Sequence, residues 1–298
     1  MNSGRRTALF LVSSLVLFAF EWQAIRDLIR YALGDNAHAS QILLIPFISG
    51  ALIFWDRQRI FSRVQYAVGP GLALAAVGLG LMASSYLWRP ALEGDRLALT
   101  TASILTVWLG LFVVFYGAQS FKAASFPLLF LVFCIPIPSL ILNQLISFLQ
   151  RGSAEISLLL IRMAGTPVFR EGFVFNMPGL SIAVAPECSG IRSCLSMLIL
   201  SILGGHLLLQ TTWRRIALVL VAIPIMIFKN AIRIATLTLL SIHVNPAIIE
   251  SRLHREGGIP FFLVALLLIY PILKILMKTE KTVETESGQQ SILREANL

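Results

Sequence analysis

Residues 97–117 read LALTTASILTVWLGLFVVFYG, twenty-one positions without a charged side chain. As a helix rising 1.5 Å per residue, such a run reaches about 30 Å, the thickness of a bilayer's hydrocarbon core. It is not alone. Further apolar runs occupy 7–22, 40–55, 67–88, 124–141, 188–210, 216–242 and 258–277. The pattern predicts an all-α polytopic membrane protein of about eight transmembrane helices. Composition agrees: 57% of the 298 residues are hydrophobic and 13% are charged, against about a quarter charged in a soluble domain.

The formal net charge of +9 is spread through short loops between the apolar runs. That placement points to membrane lipids and topology control, and not to nucleic acid. Eight crossings put both termini on one side. That side collects twelve basic and five acidic residues, the other nine basic and ten acidic. The positive-inside rule then sets the termini in the cytoplasm, in a plasma (inner) membrane. The first run follows Arg5-Arg6 but ends at Glu21-Trp22, where a cleavage site would need small residues. It is expected to remain as an uncleaved helix. Residues 1–278 form the expected membrane domain, and the polar residues 279–298 a disordered cytoplasmic tail.

The longest stretch outside the runs is 142–187. Its first part is amphipathic, with Asn143, Gln144, Gln150, Arg151, Glu155 and Arg162 set among leucines and isoleucines. An interfacial helix fits it, with a re-entrant hairpin or a ninth crossing as alternatives. Next, Phe173, Phe175 and Met177 alternate, as do Leu180, Ile182 and Val184, around Pro178-Gly179. The pair suits a type II turn, so a small outer-face β-hairpin is predicted. Lipid cannot satisfy its open edges, which places it at the aqueous rim.

The hairpin leads directly into Ala185-Pro186-Glu187-Cys188-Ser189-Gly190-Ile191-Arg192-Ser193. Pro186 suits the first position of a helix. Glu187 and Cys188 then fall in the first turn, beside unpaired backbone N–H groups and the positive end of the dipole. Those surroundings favour the thiolate, the reactive form. Spacing alone leaves Cys188 either a nucleophile or a packing residue like Cys134 and Cys194. Three cysteines in apolar settings indicate neither a disulfide framework nor a metal site. Glu187 is a helix-start anion or an orienting group. Ser189, Ser193 and Ser196 share a face, the pattern of close helix packing before that of a serine nucleophile. Arg192 reaches Glu187 or headgroups.

Asn230 and Arg233 are three apart and share a helix face. No Asp or Glu lies within the expected helices from 188 to 277. A charged residue so deep, ~14 Å from the outer helix end, is by default a functional-site hypothesis. Its role would be to stabilise a thiolate or an oxyanion, with Asn230 positioning it or donating a second hydrogen bond. Lys229 points elsewhere, as a membrane-depth anchor. His254, before Gly257-Gly258, is the expected acid/base, since imidazole titrates near neutrality. His243 is its rival and His38 is also outer, whereas His206 falls on the cytoplasmic side. By this topology Cys188, Arg233 and His254 converge on the outer leaflet. No His-Glu-x-x-His string and no pair of membrane aspartates occurs, so metalloprotease and aspartyl chemistry lack their groups. No cofactor or metal is expected.

The cysteine string, Asn230-x-x-Arg233, and His254 with Gly258 resemble, in order and spacing, the three signature blocks of the exosortase/archaeosortase family. Asn36 to Trp55, Ile135-Pro136-Ile137-Pro138, Gly165-Thr166-Pro167-Val168 and Arg170-Glu171-Gly172 resemble its weaker elements, so the likeness covers roughly 36–275. The resemblance implies a cysteine peptidase or transpeptidase for protein sorting. Its substrates would be exported proteins ending in a short motif, often Pro-Glu-Pro, a transmembrane helix and a basic cytoplasmic end. Cys188 would be the nucleophile that forms a thioester, Arg233 the oxyanion or thiolate stabiliser, and His254 the acid/base. Glu187, Ser189, Gly190, Arg192 and Asn230 would support them. A lipid or glycolipid acceptor is consistent with the family. The competing reading is a non-enzymatic transporter or flippase, with Arg233 and Lys229 binding an anionic substrate and Cys188 dispensable.

Overall fold

Apolar length becomes helix in most of the chain, and prolines, glycines and buried polar residues decide where each helix stops. The computed structural model describes residues 3–34, 39–62, 64–87, 92–178, 180–245 and 258–296. The chain divides into two units, Met1–Asn143 and Gln144–Leu298.

In the first unit, α1 (Ser3–Phe20) meets α2 (Trp22–Leu33) at a 73° bend. The corner residue, Glu21, is 3% exposed and accepts a 2.9 Å hydrogen bond from the Tyr86 hydroxyl. A 3₁₀ turn, Ser40–Leu43, leads to α3 (Ile45–Trp55), and α4 (Arg57–Ile60) follows. The hairpin of α5 (Val68–Leu87) and α6 (Glu93–Ala123) is the main packing unit. These two helices approach closely because small residues face each other. A Cβ added at Gly78 would lie 2.6 Å from the Val107 amide nitrogen, and one at Gly110 2.6 Å from that of Ala75. Contact of this kind, backbone against backbone, is how apolar helices associate where lipid is as apolar as leucine. Phe10, Phe112 and Tyr116 close the lower core with aromatic contacts of 5.0–6.0 Å.

The stretch expected to cross at 124–141 does not run straight. It forms α7 (Ser125–Phe130), a 3₁₀ turn (Leu131–Cys134), and then α8 (Ser139–Met163), bent 88° from the segment before it. The cause is Ile135-Pro136-Ile137-Pro138. Each proline lacks an N–H and drives the residue before it out of the helical region. Asp95 stabilises the restart, accepting from the Ser139 amide (2.5 Å) and hydroxyl (2.6 Å).

In the second unit, α8 is followed by a three-stranded antiparallel sheet in the order β1 (Phe169–Glu171), β2 (Val174–Met177), β3 (Leu180–Ala183). The predicted hairpin is β2–β3. The extra strand β1 pairs Phe169 with Asn176 and Glu171 with Val174. The sheet is not merely a rim feature. Phe175 is fully buried and joins Ala154 and Ile161 of α8 in a core with Ile234 and Ala235. The latter two belong to α10 (Thr212–His243), which follows α9 (Ile191–Leu208) and precedes α11 (Gly258–Ala296). A second core joins Met197, Leu218, Met226, Ala265 and Ile269 of those three helices. Glu280 caps the start of α10, accepting from the Gln210 and Thr211 amides (3.0 and 2.7 Å), with Arg214 at 3.3 Å. Backbone helix in α11 continues to Ala296.

Of the eight expected crossings, five helices among the described residues are long and apolar enough to span: α5, α6, α9, α10 and the Pro260–Glu280 part of α11. The total reaches seven if each bent pair is one span. Residues 40–55 fall short because the 3₁₀ turn leaves α3 with only 11 helical residues, about 16 Å. Residues 142–163 lie within α8, the second member of the bent pair. The protein is a mostly helical, multi-pass membrane protein.

Candidate active site

The turn that carries Cys188 is built by its own residues. Pro186 starts a short 3₁₀ helix, Pro186–Ser189, whose Cys188 amide donates to the Ala185 carbonyl at 2.9 Å. Gly190 then adopts a left-handed conformation, φ 77°, and serves as the N-cap of α9. Only glycine adopts that conformation freely. A Cβ there would also lie 2.9 Å from Cγ of Asn230. Cys188 therefore precedes α9 and is not in its first turn, which corrects the sequence expectation. The left-handed residue separates the thiol from the helix dipole's nearest N–H groups.

Two neighbouring side chains of α10 hold this turn. Asn230, 1% exposed, donates from Nδ2 to the Cys188 carbonyl (2.9 Å) and to Ser153 Oγ of α8 (3.0 Å). Lys229, also 1% exposed, donates from Nζ to Ser193 Oγ at 2.7 Å, and Ser193 donates onward to the Gly190 carbonyl at 3.0 Å. Lys229 is thus not a membrane-depth anchor. A snorkelling lysine would carry its ammonium to water, whereas this one is buried against the cysteine turn. Gln150 of α8 donates to the Val184 carbonyl and fixes the entry to the turn. Ser157 ties α8 to α10 through the Ala231 carbonyl, 3.2 Å.

Cys188 borders a cavity of about 220 Å³ that Ser181 to Ala185 and Arg233, Ile234, Leu237 and Thr238 of α10 also line. Cys188 and Arg233 both line it. Asn230 and Arg233, expected on one face, both serve this turn, Asn230 by holding its backbone and Arg233 by bordering the space in front of it. Ser189 is 2% exposed and Arg192 is exposed. Glu187 belongs to the same 3₁₀ turn. Cys134, Cys188 and Cys194 are free thiols.

His254 and His38 lie outside the described residues. His243, the rival acid/base, is exposed at the end of α10. It is ten residues beyond Arg233, ~15 Å along the axis, and is not among the cavity's lining residues. Sequence reasoning missed Gln150, Ser153, Ser157 and the Lys229–Ser193 contact. Gln150, Ser153 and Ser157 recur at i, i+3 and i+7, one face of α8, and that spacing was the available signal.

A family model described as transmembrane exosortase matches residues 31–271 of the chain. None of the curated proteins and none of the solved structures matches.

Proposed function

The chain belongs to the transmembrane exosortase family, and from that premise we propose that it is a membrane-embedded cysteine transpeptidase acting on exported proteins. Its substrate would carry a C-terminal sorting signal: a short motif, a membrane helix and a basic end. The helix would dock among the enzyme's own helices, with its basic end held in the cytoplasm by the charge rule. The motif would then emerge at the outer face beside Cys188. The observation that carries the reading is that Cys188 and Arg233, 45 positions apart in sequence, border one small cavity.

In the proposed reaction the Cys188 thiolate attacks the scissile carbonyl carbon. The guanidinium of Arg233 stabilises the oxyanion that forms, the kind of contribution that grows in a site shielded from water. The C–N bond breaks, the leaving amine takes a proton from His254, and a thioester remains on Sγ. An acceptor then gives its proton to His254 and attacks the thioester, restoring the thiolate and releasing the transferred protein. A lipid or glycolipid is the acceptor class consistent with a site at the membrane, and water would give hydrolysis instead. Asn230 and Lys229 hold the turn still while the substrate moves.

The test is to replace Cys188 with Ala and with Ser in the native host and follow processing of an exported protein whose C-terminus has the motif, helix and basic residues. Loss of processing with normal enzyme levels is expected, together with a thioester-linked adduct on the wild type. Unchanged processing in both variants would reject the enzyme and favour a carrier that binds anions at Arg233.

A further inference from the structure

A sheet edge runs along the cavity that Cys188 and Arg233 share. The sheet order is β1-β2-β3, so β3 has a strand on one side only among the described residues. The register fixes which of its backbone groups face the open side. Met177 pairs with Leu180 and Phe175 with Ile182. A two-residue connection makes the flanking pair hydrogen-bonded, and such pairs then alternate along an antiparallel ladder. Leu180 and Ile182 therefore point their N–H and C=O groups at β2. The Val184 amide continues the series, donating to the Phe173 carbonyl at 2.8 Å. The intervening residues, Ser181 and Ala183, present theirs to the opposite side. Among the described residues those groups take part in no backbone hydrogen bond outside the sheet, and both residues are exposed.

Ser181 and Ala183 also line the cavity, together with Arg233, Leu237 and Thr238. The open edge and the thiol therefore share one space, and the chain passes from Ala183 to Cys188 in five residues. Unpaired strand edges are costly in lipid and are templates for another strand in water. An occupant that matches alternating N–H and C=O groups is an extended peptide backbone. Apolar lipid chains have no such groups.

We propose that β3 is the substrate-docking edge: an extended segment of the protein substrate adds to it as a fourth strand, pairing with Ser181 and Ala183, and is thereby carried to Cys188. The inference rests on the reading of Cys188 as the nucleophile. Backbone pairing supplies affinity without sequence demands, and side chains reaching the cavity wall supply selectivity, as in other strand-addition complexes.

The test uses the full chain in lipid nanodiscs, with Cys134 and Cys194 replaced by alanine, and a four-alanine peptide acyloxymethyl ketone as probe. The thiolate displaces the probe's carboxylate, forming a C–S bond and breaking a C–O bond, so the inactivation rate reads how well the backbone docks. Each probe amide is N-methylated in turn. Methylating alternate amides should slow inactivation at least tenfold, while the amides between them stay within about twofold. The alternation should vanish in Ala183→Pro, which removes an edge N–H but no ladder bond, while small iodoacetamide still labels Cys188 at the wild-type rate. Uniform losses, or none, across the methylated probes would overturn the proposal on the wild-type chain alone, whether or not the proline variant folds. Loss of host processing in Cys188→Ala without the alternation would sink the docking edge and keep the transpeptidase. The alternation with unchanged processing would sink the transpeptidase and leave β3 a peptide-binding edge that delivers nothing to Cys188, overturning the proposal as stated.

Discussion

One helix pair in each unit shows a different means of close approach. In the first, α5 and α6 meet where side chains are missing: Gly78 and Gly110 bring backbone within contact of Val107 and Ala75. In the second, α8 and α10 share an apolar core but add polar contacts, Ser153 with Asn230 and Ser157 with the Ala231 carbonyl. Polar burial costs free energy unless each group finds a partner, and apolar close packing already serves in the same chain. The difference teaches where the expense is incurred. Asn230, Lys229, Ser193 and Gln150 converge on the few residues between Val184 and Gly190, and those residues present the thiol.

The sharpest break in that comparison is the thiol itself. Cys188→Ala should lower processing at least ~10⁴-fold, whereas Cys134→Ala in the first unit should leave it within twofold. Processing assays in the native host, normalised to enzyme level, decide it. Next comes the acid/base. His254→Ala should cost about 10²–10⁴-fold in turnover, and His243→Ala should change little. Equal losses would move the role to the end of α10. Third is the clamp. Asn230→Leu strands the Cys188 carbonyl and the Ser153 hydroxyl, and should cost about 1–3 kcal/mol in denaturant titration. It should also slow alkylation of Cys188 several-fold. The mildest change probes the other unit. Gly78→Leu overpacks α5 against α6 and should cost about 1–3 kcal/mol while the alkylation rate of Cys188 in the folded fraction stays at the wild-type value. A parallel loss of thiol reactivity there would erase the distinction between the units.

Much of this was legible in the sequence because a bilayer sets a length. Runs such as 97–117 and 216–242 could hardly be anything but helices. The hairpin was legible too, since Pro178-Gly179 divides two alternating runs. The strand β1 was not, because three residues that include Arg170 and Glu171 carry no alternation to read. The expected helix start lies five residues too early because Pro186 suits a 3₁₀ turn as well as an α-helix, and the close approach of Asn230 to Gly190 joins residues 40 positions apart. Lys229 and Ser193 are 36 positions apart. Neither residue signals the other, and a lysine in an apolar run reads as an anchor until its partner is known. Asn230 and Arg233 could be put on one helix face because a helix of known period makes that a matter of counting.

The four residues from Ile135 to Pro138 have a consequence for the whole molecule. They turn the chain by 88° between two apolar helices. If the corner sends the chain onward, the pair counts as one passage through the bilayer. If it sends it back, the pair counts as none. Every loop downstream, the cysteine turn among them, changes compartment with that choice. Which solvent meets the thiol is therefore a parity, and this corner shares control of it with the 73° bend at Glu21.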